Sequence, residues 1–284
     1  MLLLRTLLTM MLLLAACTPP RVVVRSTPEN HASHSSSAPQ SHAITTATSA
    51  MLAPTRPLQV KRASIPDFST IHGTRAKKRA FFAWLSPIVA QENARIIAQR
   101  TQLLRMRGRG WTSKDIEFLQ SLTNAYKLPW HPESAHWIHR KLLRLVDIVP
   151  SDLVLAQAAI ESAWGRSRFA TQGNNLFGEW CFSAGCGLVP LQRNKNAHHE
   201  VRFFAAPNLS VRAYLHNINS GKTYVLLRSL RQKERQLHQP ISGYELALGL
   251  RTYSERGIAY VRQVRHLIQT HQALLAPHLH SSTN

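Results

Sequence analysis

Acidic side chains are scarce in this 284-residue chain: 14 Asp and Glu stand against 35 Lys and Arg, giving a formal net charge of +21. Such a field disfavours cationic partners and attracts polyanions, whether nucleic acid, anionic lipid head groups or an acidic polysaccharide. Cysteine is scarcer still, with three in all and no paired Cys-x-x-Cys spacing, so the familiar paired-cysteine zinc site is missing. No internal repeat is present, and no stretch calls for a metal, nucleotide or other cofactor. The hydrophobic share of 44% is ordinary for a globular protein and argues against a largely disordered chain.

Long apolar runs are limited to the start, "MLLLRTLLTMMLLLAAC", where Arg5 precedes a stretch shorter than the roughly 20 residues that span a bilayer comfortably. An export signal over residues 1–16 fits this pattern. Leu14, Ala15, Ala16 and Cys17 resemble the bacterial lipobox, which implies acylation of Cys17 and a membrane anchor; an ordinary secretory signal is the alternative. Export removes nucleic acid as an expected partner and makes a periplasmic location, lipid-anchored to the outer membrane in the first instance, the expectation. Residues 17–65 are rich in Ser, Thr, Ala, Pro and His and read as a flexible tether.

Beyond the tether the pattern turns helical. Phe81, Leu85, Ile88 and Val89 share a face, and Pro87 should kink that helix or start a new one. "TSKD" from Thr112 resembles a capping box ahead of Ile116, Leu119, Leu122 and Tyr126. Trp137, Ile138, Leu142 and Leu145 mark another helix, and residues 66–150 form a helical first part. Ser151 can cap the next helix, where Leu153, Ala156, Gln157, Ile160 and Trp164 line one side until Gly165 ends it. "EVRFF", residues 200–204, is one arm of a hairpin whose other arm lies within residues 179–191. Ser242 heads a second capping box, Val261, Val264 and Ile268 continue a helical period, and residues 277–284 are a flexible tail. In an oxidising compartment Cys181 and Cys186 most simply close a small disulfide loop; zinc held with His198 and His199 is the sharper alternative.

In so basic a chain Glu161 stands out. It occupies the last turn of an apolar helix, where the negative end of the helix dipole and the neighbouring Ile160 and Trp164 both keep its proton on. A neutral carboxylic acid is what glycosidic cleavage needs, because the leaving oxygen must be protonated as the sugar gains oxocarbenium character. An exposed glutamate paired with Arg166 or Arg168 is the plain alternative.

The segments "AAIESAWGRSRFATQGNNLFG", "SVRAYLHNI" and "RTYSERGIAYVRQV" resemble the glucosaminidase domain of glycoside hydrolase family 73, and "AKKRAFFAWLSPIVAQEN" with "LLRLVDIVPSDLVLAQAAIESAWG" resembles the Bax-type bacterial proteins. This resemblance implies a mainly α (α+β), lysozyme-like helical domain with a small β-hairpin lobe, the glucosaminidase part covering residues 151–276. It also implies peptidoglycan glycan strands as substrate, Glu161 as general acid, and Tyr253 at the catalytic centre. Asn174, Asn175, Phe177 and Gly178 fall in the substrate-cleft turn, with Tyr260 as a further lining residue. Each has a structural alternative: loop-shaping amides for the asparagines, a plug for Phe177, core packing for the tyrosines.

A second carboxylate is harder to place. Glu200, opening the "EVRFF" strand, is the best positional match and Glu179 the next; the substrate's own N-acetyl group is a third route. The expected activity is that of an endo-β-N-acetylglucosaminidase acting as a monomer on the cell wall, its basic surface drawing it to the acidic polymer. A lytic transglycosylase, a muramidase and a non-catalytic wall-binding lipoprotein are the rivals.

Overall fold

A computed structural model describes residues 64–193 and 197–278. The export signal, Cys17, nearly all of the tether and residues 279–284 lie outside the described residues. Ile65 and Phe68 are already buried, so the packed body begins by residue 65. No helix among the described residues is long and apolar enough to cross a membrane.

The body is built from α1 (Thr74–Arg105), α2 (Ser113–Ala125), α3 (Ala135–Leu145), α4 (Ser151–Glu161) and α5 (Arg168–Gly173), followed by three short strands. After the strands come α6 (Pro207–Ser220), α7 (Val225–Gln236), α8 (Gly243–Leu246), α9 (Ile258–Thr270) and α10 (Gln272–Leu275). This is the mainly α architecture with a small β lobe that the resemblance implies. α4 is its axis: every residue from Leu153 to Ala159 is buried, as expected of a helix apolar on nearly all sides and enclosed by others. α1, α8 and α9 pack around it.

The expected break at Pro87 does not occur, because α1 runs on for 32 residues with the proline inside. Phe81, Phe82, Leu85 and Val89 are fully buried on either side of it, and this packing outweighs the lost backbone hydrogen bond. The same helix enters two cores. Its first half packs on α4, while Leu103 and the adjoining Met106 join Leu119, Ile138 and Leu142 in a second cluster with α2 and α3. A division at residue 150 therefore follows the chain and not the packing.

Thr112 caps α2, with its own hydroxyl and the Asp115 side chain satisfying each other's backbone amides. Of the residues that mark α3, Trp137 is 46% exposed with the Lys141 ammonium 4.5 Å over its ring, and Ile138 and Leu142 supply the buried face. Pro150, and not Ser151, holds the flanking position before α4.

The β lobe is a three-stranded antiparallel sheet in place of a simple hairpin. β3 (Glu200–Arg202) lies in the middle, paired with β1 (Trp180–Cys181) on one side and β2 (Gly187–Leu188) on the other. Cys181 and Cys186 are joined by a disulfide, closing the loop between β1 and β2. Gly187 permits the tight approach of β2, since a Cβ there would lie 2.0 Å from the Val201 carbonyl oxygen. Phe203 and Phe204 fall beyond β3, their amides donating to Cys186 and Gly173.

Candidate active site

Glu161 is the last residue of α4. The helix stops there, four residues before Gly165, because Ala163, Trp164 and Gly165 all take left-handed backbone conformations (φ 50°, 61° and 77°). Ser162 fixes the turn by donating its hydroxyl to the Ala158 carbonyl and accepting the Gly165 amide at 2.7 Å. Gly165 also abuts Phe68, with an added Cβ at 3.0 Å from the ring, so a larger residue would be both strained and crowded. Trp164 turns into an aromatic cluster with Phe81, Phe82 and His271. An abrupt helix end thus leaves Glu161 at the rim of the core, half-buried.

The environment of its carboxyl is a chain of hydrogen bonds. Tyr214 donates its hydroxyl to Gln157 Oε1, and Gln157 Nε2 donates to the Tyr260 hydroxyl oxygen at 3.0 Å. That leaves the Tyr260 proton to be given to Glu161, with which it is hydrogen-bonded. Gln157 and Tyr214 are fully buried and Tyr260 nearly so, and an amide that accepts at Oε1 and donates at Nε2 sets the direction of each bond. Burial pushes the Glu161 pKa above the usual carboxylate range, opposed by the Tyr260 hydrogen bond and by the charge of Arg256. Burial likewise raises Tyr260, reinforced by the neighbouring Glu161 charge, so the phenol stays a donor.

Tyr253 stacks on Tyr260, with ring centroids 5.4 Å apart and planes 11° from parallel. Its hydroxyl donates to the Phe177 carbonyl at 3.0 Å and so ties the tyrosine pair to the loop after α5. The asparagines organise that loop. Asn174 sits at φ 51° and donates to the Phe204 carbonyl, while Asn175 accepts the Phe177 and Glu179 amides and donates to the Glu179 and Arg202 carbonyls. Phe177 is buried and stacks on Tyr214 at 4.0 Å, in the position of a plug and not of an open sugar platform. Gly178, at φ 70°, supplies a left-handed turn that an L side chain rarely adopts.

This loop delivers Glu179 to the same tyrosines. Its carboxyl accepts Asn217 Nδ2 at 3.2 Å, and burial raises its pKa against the Asn217 bond and the Arg202 charge. Burial is the main cause that raises the pKa of Tyr253 and of Tyr214, and the charges of Glu161 and Glu179 add to it at both, placing the two carboxylates around one aromatic cluster. Glu179 also lines a groove of about 1130 Å³ with Trp180, Arg202, His216 and Asn217. Trp180 is 54% exposed and stacked on His199, offering an open aromatic face beside Glu179.

Glu200, the expected second carboxylate, is held by backbone amides. Its two oxygens accept the Gly185 and Gly187 amides at 3.0 and 2.7 Å, and those bonds hold its pKa below the usual range. The side chain thereby anchors the disulfide loop. Cys181, Cys186 and Glu200 are close enough to suit a metal ion, but the two sulfurs are bonded to each other. Gln157 was given only a packing role by the sequence; the signal for more was its place one helical turn before Glu161.

These features, a half-buried acid at a helix end backed by tyrosines that also feel the charge of a second carboxylate on a β-lobe loop, suit a glycosidase domain. The family model described as "Glucosaminidase: Mannosyl-glycoprotein endo-beta-N-acetylglucosaminidase" matches residues 138–273, spanning Glu161, Glu179, Tyr253 and Tyr260. "Protein bax" of Escherichia coli (strain K12) is 30% identical over 220 residues, which cover 77% of this chain and 78% of that protein. The chain belongs to the Bax-type family of proteins with a glucosaminidase domain. No solved structure matches it.

Proposed function

We propose that the protein is an exported, Cys17-anchored peptidoglycan hydrolase that cleaves the β-1,4 bond after N-acetylglucosamine, with Glu161 as general acid. The hydrogen-bond chain from Tyr214 through Gln157 and Tyr260 to Glu161 carries this reading. A donor at one carboxyl oxygen leaves the other free to hold the acidic proton and pass it to the glycosidic oxygen. Burial and the helix end favour the neutral acid that this step requires.

Glu179 is the second carboxylate, facing the positive charge that develops at the sugar carbon as the bond breaks. Arg202 supports its ionised form. Asn174, Asn175, Phe177 and Gly178 serve by fixing the loop that carries it, and Tyr253 locks that loop to Tyr260. Trp180 offers the apolar face on which a sugar ring packs. Digestion of purified peptidoglycan by the full chain is the test, with fragments separated and their ends identified by mass spectrometry. Reducing N-acetylglucosamine ends are expected. Anhydromuramic ends would make the protein a transglycosylase, reducing N-acetylmuramic ends a muramidase, and retention on the glycan without release a binding protein.

A further inference from the structure

A second, larger groove of about 1640 Å³ opens between the end of α1, α3 and α7, and its lining is strongly cationic. Asp147 is the one acid lining it among the described residues, and that carboxylate is already engaged by Arg235, Arg100 and the fully buried Arg231. Arg109 is likewise taken up by Asp115. Arg107, Arg140 and Arg144 have no carboxylate within ion-pair distance among the described residues, and all three are exposed. Lys141 lies over the exposed Trp137 ring, adding a face where a chain could rest against aromatic surface. Crowding of like charge is felt inside the groove: burial, then the neighbouring Arg144, depresses the Arg228 pKa. Guanidinium groups without a carboxylate partner, gathered along one groove, favour anions.

Its position indicates which anion. The groove shares Lys141, Leu145, Val225 and Arg228 with the groove that holds Glu179, Trp180 and Asn217, so the two grooves adjoin at those residues. A ligand gripped at both ends needs a neutral glycan part at Glu179 and an anionic part beyond Arg228. Peptidoglycan strands that keep their peptide stems have that composition, with sugars along the strand and free carboxylates on the branches.

We propose that the basic groove binds the carboxylates of substrate peptide stems, so that the protein prefers peptide-bearing over bare glycan. The assignment of the substrate rests on the function proposed above, whereas its test reads binding and does not require turnover. In the Glu161→Gln background, co-sedimentation is measured with insoluble peptidoglycan and with the same glycan stripped of its peptides by an amidase. Peptide-bearing material should bind about tenfold more tightly, the equivalent of one charge-assisted hydrogen bond, and the difference should shrink as salt is raised. Arg140→Ala with Arg144→Ala, both exposed on α3, should abolish that preference while leaving bare-glycan binding and the melting temperature unchanged. Equal binding of the two materials, or a preference that survives the double substitution, overturns the proposal. So does loss of affinity only for phosphatidylglycerol vesicles, which would assign the groove to lipid phosphate. Failure of the catalytic reading would appear separately, as intact preference without cleavage by the unsubstituted chain.

Discussion

Replacing Glu161 with Gln tests the proton itself, because the amide oxygen of Gln can still accept the Tyr260 hydroxyl. The Tyr214–Gln157–Tyr260 chain stays satisfied and the site keeps its shape, so the lost rate reports the missing acid and little else. General acid catalysis contributes about 10²–10⁴-fold, equivalent to about 2.7–5.4 kcal/mol of barrier. Fragment release from peptidoglycan should fall by that factor while co-sedimentation with the glycan is retained. Stability should move the other way. Burial raises the Glu161 pKa in the folded protein, so the stability linked to its proton is full below the unfolded value and is lost as pH rises through the folded one. Gln has no charge to acquire, and its advantage over the natural residue in thermal melts should therefore grow from acidic to neutral pH. A variant that cuts within about threefold of the natural chain, when a loss of 10²-fold or more is expected, would refute the assignment. A stability advantage that shrinks with rising pH would refute the argument from burial.

The two candidate partners of Glu161 separate by different measurements. Glu179→Gln should abolish fragment release with the β lobe intact, whereas Glu200→Gln should leave most activity but speed hydrogen exchange at the Gly185 and Gly187 amides; the opposite pattern would restore Glu200 to the chemistry. Since those amides depress the Glu200 pKa, the loop stability they confer should be present above its unfolded pKa and fade as pH falls through the folded one. Arg231 is fully buried and donates to the Asp147 and Ile148 carbonyls and to Asn219 Oδ1, with burial the main cause that brings its pKa down to about 10. Arg231→Ala should cost about 3–5 kcal/mol in urea unfolding, as removal of one partner from a buried charge network does, and a loss under 1 kcal/mol would contradict that account.

What the sequence could show depended on how far apart the partners lie along the chain. The Thr112 cap and the placement of Glu161 at its helix end follow from residues within one or two turns, and they are visible in the letters. Glu161 is also conspicuous because carboxylates are few. Pro87 misleads for the converse reason: a local rule predicts a break, and burial of Phe81, Phe82, Leu85 and Val89 against distant elements overrides it. Trp137 shows the limit of periodicity, since apolar spacing does not distinguish a core residue from one that carries a lysine on its face. Gln157 shows the limit of residue type. It reads as one more position on an apolar helix, yet its amide joins Tyr214, 57 residues away, to Tyr260, 103 residues away, and so decides which atom faces Glu161 with a proton. The choice between Glu179 and Glu200 is of the same kind. Glu179 precedes β1 and Glu200 opens β3, and of the two only Glu200 has its oxygens taken by backbone amides, those of Gly185 within the closed Cys181–Cys186 loop and of Gly187 just after it. A carboxylate becomes available for chemistry when no backbone amide claims its oxygens. Between Glu179 and Glu200 that condition, and not position along the strand, is what favours Glu179 in the proposed reading.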